Sequence, residues 1–262
     1  MLDQRVAVAV TSFKQPLRKA LHTAAQLGAR GVQIDALHDL RPAELSSTGL
    51  RQFRKMLDDL NLRVAAVSFP TRHGYDERDR LEERVAATKR AMQFAHDLGA
   101  RVLINQLGRV GADEQSADWQ TLVEVLHDLG AHGQHVGAML TAKTGSESGA
   151  DLARLLSALP EGTIGVDLDP GQLIINGFSA TEAVQALAGQ ILHVTASDGV
   201  RDLAIGRGLE VPLGRGVADF PELIAQLEQQ RYTGWFTIHR RNSEQPIAES
   251  GDAIEFLRNL YQ

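Results

Sequence analysis

The chain has 262 residues, is 43% hydrophobic and 23% charged, contains no cysteine and carries a formal net charge of −6. The lack of cysteine excludes disulfides, thiolate metal sites and cysteine nucleophiles. The acidic, mixed charge argues against nucleic acid as a partner. No apolar run approaches the roughly 20 residues that span a bilayer, and the first residues lack a signal-like pattern. We therefore expect a cytoplasmic protein with neither nucleic acid nor membrane as a partner.

Short apolar runs alternate with amphipathic segments eight times along the chain. The predicted strands cover residues 6–10, 31–36, 62–69, 101–106, 136–141, 164–169, 191–197 and 235–239. The predicted helices cover residues 16–27, 47–61, 79–98, 117–132, 148–159, 180–187, 220–230 and 251–261. Units of about 30 residues with near-continuous apolar strands are typical of a (β/α)8 barrel. We predict a single α/β TIM-barrel domain over residues 1–262. The alternative is an open doubly wound sheet. A barrel is favoured over it because the eight units show no reversal of the crossover direction.

The segment IGVDLDPGQ at residues 164–172 contains the most informative acid of the chain. Ile164, Val166 and Leu168 alternate as in a strand, and Pro170 with Gly171 predicts its end. Asp169 then lies at the carboxyl tip of the strand, where barrel enzymes build their sites. The alternative is a carboxylate that only caps a turn or a helix.

Polar side chains follow every predicted strand. They are Thr11, Ser12, Gln33, Asp35, Ser68, Arg72, His73, Asn105, Gln106, Thr141, Lys143, Asp169, Gln172, His193, Thr195, Asp198, His239 and Arg240. Such a rim suits a polyhydroxylated ligand, although the rim of any barrel is polar.

Several segments resemble the xylose isomerase-like sugar phosphate isomerase/epimerase barrels. The run ILHVTASD at 191–198 is similar to their seventh-strand motif, and VPLGRGVADF at 211–220 resembles their Pro-Leu-Gly-x-Gly-x-x-Asp-Phe segment. The run YTGWFTI at 232–238 resembles their entry into the last strand, and 165–172 resembles their sixth strand. The resemblance spans most of the chain. It implies a TIM barrel, but the family includes isomerases, epimerases, dehydratases and endonucleases.

The resemblance also implies where a metal would bind, and there the chain departs from the family. Members usually hold a divalent ion with Glu, Asp, His and Glu from strands 5 to 8. The matching positions here are Lys143, Asp169, Thr195 and His239, and Gln172 replaces a further His. Protonated Lys143 would repel a dication by roughly several kcal/mol at an effective dielectric near 20. We expect no metal and no other cofactor, and an ion pair between Lys143 and Asp169 instead.

The predicted catalytic residues are Lys143, Asp169 and His239. Lys143 could polarise a substrate carbonyl while His239 or Asp169 moves a proton, which would give metal-independent isomerisation or epimerisation. Alternatively, Lys143 could form a Schiff base in a lyase or aldolase reaction, although a neighbouring Asp opposes the low lysine pKa that this requires. In a third interpretation Lys143 only neutralises Asp169, and the barrel binds a ligand without catalysis.

The expected ligand is a small sugar or sugar phosphate. The predicted substrate-binding residues are Gln172, His193, Thr195, Asp198, Arg207, Arg215 and Arg240. Arg72, Arg207, Arg215, Arg240 and Arg241 are candidates for a phosphate or carboxylate clamp, since arginine binds such groups in a bidentate manner. Assembly into a homo-oligomer is possible.

Overall fold

The computed structural model describes residues 5–202 and 207–260. Its barrel strands are β1 (Val6–Ala9), β2 (Gly31–Asp35), β3 (Arg63–Ser68), β4 (Val102–Asn105), β5 (Met139–Lys143), β6 (Gly165–Leu168), β7 (Ile191–Ala196) and β10 (Trp235–Ile238). A hairpin of β8 (Asp198–Val200) and β9 (Leu209–Val211) follows β7. The helices are α1 (Leu17–Gln26), α2 (Ser47–Asp59), α3 (Leu81–Asp97), α4 (Ala117–Val136), α5 (Gly149–Ser157), α6 (Pro170–Ile175), α7 (Ala180–Ala186), α8 (Phe220–Gln229) and α9 (Pro246–Asn259).

Among the described residues, eight parallel strands close into a barrel in the order β1-β10-β7-β6-β5-β4-β3-β2. The predicted TIM barrel is therefore confirmed. The main apolar core lies between strands and helices, where residues such as Val166 and Phe236 pack in one cluster with Leu126 and Leu223. No helix within 5–202 or 207–260 combines the length and the apolarity that membrane crossing requires.

The interior of the barrel changes from apolar to polar along its axis. Ala66, Val102, Ile104 and Leu192 form a separate apolar cluster. Trp235 packs so closely on the backbone of Gly31 that a Cβ there would lie 2.7 Å from the ring. Because Trp235 is the first residue of β10, these contacts fill the amino-terminal end of the barrel. Polar side chains occupy the levels above, toward the carboxyl ends of the strands.

The structure corrects the sequence prediction near the sixth strand. Pro170 does not start a simple turn but is the first residue of helix α6, a position that proline tolerates because the N–H there needs no partner. Gly171 is required by close packing, because a Cβ would lie 2.4 Å from the hydroxyl of Ser197. Asp169 is the N-cap of this helix.

Three further boundaries differ from the prediction. Helix α4 continues to Val136 and ends at Gly137, which has a φ of 85°, so β5 begins at Met139 instead of residue 136. Lys143 is therefore the last residue of β5 and pairs in register with Asp167. Helix α9 starts at residue 246 instead of 251, and the hairpin after β7 was not predicted.

Candidate active site at the barrel mouth

Asp169 is the centre of the site because it is fully buried and has contacts from four directions. Its Oδ1 accepts the backbone N–H of Gln172 at 3.1 Å and the hydroxyl of Ser197. Its Oδ2 faces two cations: a guanidinium nitrogen of Arg241 lies at 2.6 Å and the ammonium of Lys143 at 3.4 Å. The carboxylate thus caps α6 with one oxygen and pairs with two positive side chains through the other.

The charge state of Asp169 follows from a balance of burial and neighbouring cations. Burial alone would raise the pKa of this carboxyl. The charges of Arg241 and Lys143, together with the hydroxyl of Ser197, outweigh burial and hold the pKa well below its ordinary value. Asp169 is therefore an anion at every physiological pH and is a weak proton acceptor.

The two cations beside Asp169 differ in their chemistry. Burial lowers the pKa of Lys143 from its ordinary 10.5, and Arg241 lowers it further, while Asp169 opposes both. Burial also works against the charge on Arg241, but Asp169 more than compensates, and the pKa of that guanidinium is raised. Arg241 is thus a permanent cation, whereas Lys143 can release its proton more readily than an exposed lysine.

His239 completes the site as a neutral ring. Burial, Arg241 and Lys143 together lower its pKa well below 6.5. Its Nδ1 is buried and has no hydrogen-bond partner among the described residues. A buried polar atom without a partner is uncommon and needs an explanation, for which a ligand group is one candidate.

Two predicted binding residues lie below the mouth in a closed network. His193 is fully buried, with Nδ1 2.8 Å from Asp167 Oδ1 and Nε2 2.7 Å from Thr237 Oγ1. The hydroxyl of Thr195 donates to Asp167 at 2.9 Å. These contacts tie β6, β7 and β10 together inside the barrel. The geometry favours a structural role for His193 and Thr195 over the predicted contact with substrate.

Asp198 also has a structural environment. Its carboxylate accepts the backbone N–H groups of Gly199, Gly214, Gly216 and Ala218 at 2.8 to 3.1 Å. A buried carboxylate with this many amide donors holds a loop in place and has little capacity left for a ligand.

Arg240 is likewise engaged. Its guanidinium donates to Glu210 at 2.6 Å, to Glu249 at 2.7 Å and to the carbonyl oxygen of Val211 at 2.8 Å. Since Glu210 belongs to β9 and Glu249 to α9, Arg240 joins the hairpin to the last helix. Its guanidinium is thus engaged by protein acceptors, and its role in substrate binding stays a prediction.

The other predicted binding residues lie nearer solvent. Arg207 and Arg215 are exposed, and Arg207 borders residues 203–206, which lie outside the described part of the chain. Gln172 is half-buried, and its backbone contact with Asp169 is the interaction that places it at the site.

A cavity of about 390 Å³ opens at the same end of the barrel, among the loops after β3, β4 and β5. Arg72, Gln106, Arg109 and Glu147 are among the residues that line it. Burial raises the pKa of Glu147 to about 7, and Asp151 adds to this shift while Ser146 opposes it. Its nearest lining residue in the loop after β5, Ser146, is three residues beyond Lys143, and the cavity could accommodate a small polar ligand.

The residues around Asp169 do not fit a divalent metal ion. Two of the positions that the family resemblance marks as ligands hold Lys143 and the uncharged ring of His239, and Arg241 lies closer to Asp169 than Lys143 does. A dication about 4 Å from one of these cations would be repelled by roughly 8 kcal/mol at an effective dielectric of 20. The described residues contain no group of three or more His, Asp or Glu side chains that could hold a metal.

Arg241 is the residue whose importance the sequence prediction underestimated. It was one of five candidate anion clamps, yet it lies closer to Asp169 than Lys143 does. Side chains in an extended segment alternate in direction, so residues 239 and 241 point to the same side when the chain continues beyond β10. That alternation was the available signal.

Comparisons with known proteins agree with this architecture. The family model for the xylose isomerase-like TIM barrel matches residues 21–260. Inosose dehydratase of Bacillus thuringiensis (strain Al Hakam) is 23% identical over 240 residues, covering 78% of this chain and 79% of the relative.

Solved structures show the same fold. The crystal structure of a xylose isomerase domain protein from Planctomyces limnophilus matches with a TM-score of 0.83 and 24% identity, over 92% of this chain and 91% of that one. The crystal structure of D-psicose 3-epimerase in the presence of D-fructose matches with a TM-score of 0.77 and 14% identity, over 98% and 99% of the two chains. The chain therefore belongs to the xylose isomerase-like TIM-barrel family.

Proposed function

We propose that this protein is a metal-independent isomerase or epimerase that moves a proton beside the carbonyl group of a sugar-like small molecule. The observation that carries the proposal is the cluster in which Arg241 and Lys143 share one oxygen of Asp169, at 2.6 Å and 3.4 Å. In this account the two cations stand where relatives place a dication.

Arg241 is the electrophile of the proposed reaction. Its charge is permanent, and Asp169 fixes its orientation, so it can stabilise an oxyanion without reorganising during the reaction. A substrate carbonyl oxygen that binds beside the guanidinium becomes more electron-poor, which acidifies the neighbouring C–H bond. The sequence prediction gave this role to Lys143, and the permanent charge of Arg241 favours the arginine.

Lys143 is the proposed base. Burial lowers its pKa, which increases the neutral fraction that can accept a proton near pH 7. The neutral amine takes the proton from the carbon beside the carbonyl. The C–H electron pair forms the C=C bond of an enediol(ate), and the carbonyl electrons move to the oxygen beside Arg241. Protonation of the same carbon by water from the opposite face gives an epimer. Return of the Lys143 proton to the adjacent carbon, with transfer of the hydroxyl proton of the enediolate to the oxyanion, gives an isomer.

His239 is proposed to orient the substrate. Its low pKa makes the ring a weak base, but a neutral imidazole still offers one donor and one acceptor. Its unpartnered Nδ1 could bind a substrate hydroxyl. The names of the similar proteins, a dehydratase of inosose and an epimerase of D-psicose, support a polyhydroxylated carbonyl substrate.

The test follows proton exchange in D2O. EDTA-treated protein is incubated with a panel of ketoses and inososes, and NMR records loss of the proton signal beside each carbonyl. We expect exchange with at least one compound, at least 100-fold slower in Lys143→Met and Arg241→Gln. The control Lys89→Met removes an amine from a surface ion pair with Asp128 and should exchange at the wild-type rate. Exchange that needs added metal, or that survives in Lys143→Met, would contradict the proposal.

A Schiff-base mechanism is the second candidate, and one observation favours it. Arg241 lies closer to Asp169 than Lys143 does and already neutralises much of its charge. Burial and Arg241 therefore lower the pKa of Lys143 although Asp169 acts to raise it. The neutral amine would attack a carbonyl and release water to form an imine. Borohydride reduction followed by mass spectrometry distinguishes the two candidates. A stable adduct on Lys143 supports the imine, whereas exchange without an adduct supports the enediolate.

A further inference from the structure

The opposite end of the barrel carries a group of arginines that the proposed reaction does not use. Arg5, Arg30 and Arg101 directly precede β1, β2 and β4, Arg63 is the first residue of β3, and Arg231 lies four residues before β10. In the barrel, β10, β1, β2, β3 and β4 are consecutive neighbours. We call these five residues the basic arc. Adjacent strands are about 4.8 Å apart, so the arc spans roughly 19 Å.

The basic arc is not neutralised within the described residues. All five side chains are exposed, and none forms a hydrogen bond or ion pair with a described residue. Other arginines of the chain pair with acids, as Arg80 does with Glu83 and Arg154 with Glu114. A row of cations without an acidic partner among residues 5–202 and 207–260, on a chain of net charge −6, favours a negative partner from outside.

A broad cavity accompanies the basic arc. It has a volume of about 1420 Å³, and all five arginines line it together with Met139, Leu192, Tyr232 and Trp235. The described residues that line it include no Asp, Glu or Lys. Pockets for small ligands are commonly 300–1,000 Å³, so this cavity is large for one. Arginine, methionine and aromatic residues are enriched in protein interfaces, whereas Asp, Glu and Lys are depleted.

The backbone of Arg231 adds an independent observation. Its φ is 58°, in the left-handed region, where glycine is the usual residue. Glycines with positive φ occupy such positions before β2, β4, β5 and β7, at residues 28, 99, 137 and 189. An arginine in this conformation carries backbone strain that a glycine would avoid, and its side chain lines the cavity.

We infer that this face binds an acidic segment of a partner protein, with its carboxylates on the basic arc and its apolar side chains on the floor formed by Met139, Leu192 and Trp235. An extended segment of about six residues covers about 19 Å, and its alternating side chains can satisfy both surfaces at once. Guanidinium groups bind carboxylates through two parallel hydrogen bonds, which accounts for arginine at all five positions.

Fluorescence polarisation with a labelled ten-residue peptide of alternating Glu and Leu or Trp tests the inference on the full-length protein. We expect saturable binding that weakens as salt rises, and at least tenfold weaker binding by Arg63→Gln/Arg101→Gln. The control Arg18→Gln/Arg51→Gln makes the same charge change on exposed positions of α1 and α2 and should bind like wild type. Circular dichroism melting verifies that both variants fold.

Three outcomes would overturn the inference. The peptide with Gln in place of every Glu could bind equally well, which would leave the basic arc without a role. Tripolyphosphate could displace the peptide at concentrations far below the peptide's own dissociation constant, which would assign the cavity to a small polyphosphate. Sedimentation could show that this face already joins two copies of the chain and that Arg63→Gln/Arg101→Gln separates them.

Discussion

The guanidinium of Arg241 lies 2.6 Å from Oδ2 of Asp169, closer than the ammonium of Lys143 at 3.4 Å. Both cations therefore contact the same oxygen of one buried carboxylate. The charges of Arg241 and Lys143 keep Asp169 ionised, whereas burial, assisted by Arg241, lowers the pKa of Lys143 and keeps His239 neutral. Each property has a measurable consequence.

The first prediction concerns the pH dependence of Arg241→Gln. Arg241 holds the pKa of Lys143 down, so its removal raises that pKa. If neutral Lys143 is the base, the rising limb of kcat/KM against pH moves to higher pH. The rate at pH 7 then falls by more than the loss of oxyanion stabilisation alone would cause. Arg51→Gln, an exposed substitution on α2, should keep the wild-type profile. If Arg241→Gln reduced activity but left the midpoint of the pH profile unchanged, Arg241 would have no effect on the titration of Lys143.

The second prediction concerns the stability of Lys143→Met. The pKa of Lys143 is lower in the folded protein than its unfolded value of 10.5, so the unfolded chain binds more protons between the two values. The charge on Lys143 therefore opposes folding below that window, and this cost disappears as pH rises to 10.5. We expect Lys143→Met to be at least as stable as wild type at pH 7 in urea unfolding. A loss of about 3 kcal/mol, typical of a broken buried ion pair, would contradict the account.

The third prediction concerns Glu147 in the mouth cavity. Its pKa rises from 4.5 to about 7 on folding, so the folded state gains protons relative to the unfolded chain between these values. Its contribution to stability is favourable below pH 4.5 and is lost as pH rises through 7. Glu147→Gln should therefore match wild type at pH 4.5 and exceed it by roughly 1–3 kcal/mol at pH 8. If Glu147→Gln and wild type had equal free energies of unfolding at pH 8 as well as at pH 4.5, the pKa of this carboxyl would not be raised by folding.

The fourth prediction concerns the buried contact between His193 and Asp167. His193→Ala removes a buried hydrogen-bond partner of Asp167 and leaves a cavity, which should cost about 3 kcal/mol in the free energy of unfolding. His22→Ala, on the exposed side of α1, should change stability by less than about 0.5 kcal/mol. If His193 contacted substrate instead, its removal would raise KM while leaving the urea midpoint unchanged.

The fold was predictable because each strand has a local sequence signal. This signal is a short apolar run followed by a segment in which apolar residues recur at helical spacing. The barrel then brings the strand ends together, which is why the ion pair between Lys143 and Asp169 could be expected from two distant segments. The short helix α6 and the hairpin of β8 and β9 were missed because their signals are a Pro-Gly pair and a glycine-rich loop, which equally indicate turns.

The distinction between binding and supporting residues could not be made from the sequence. Asp198 and Arg240 are polar and lie beyond strand ends, as ligand-binding residues do. Their actual partners are loop amides and the acids Glu210 and Glu249, and these contacts form only in the folded chain, where β9 lies beside the segment after β10. A residue that binds a ligand and a residue that supports a loop can therefore have the same residue type and the same position after a strand.

The central claim is that two cations occupy the place of the family's metal ion on Asp169. Calorimetric titration of EDTA-treated protein with Mn²⁺ tests it directly, beside a Lys143→Glu/His239→Glu/Arg241→Ser variant that restores two carboxylates and removes three basic side chains. The account predicts no binding heat for wild type and one-to-one binding for the variant. Tight one-to-one binding by wild type that Asp169→Ala abolishes would contradict it.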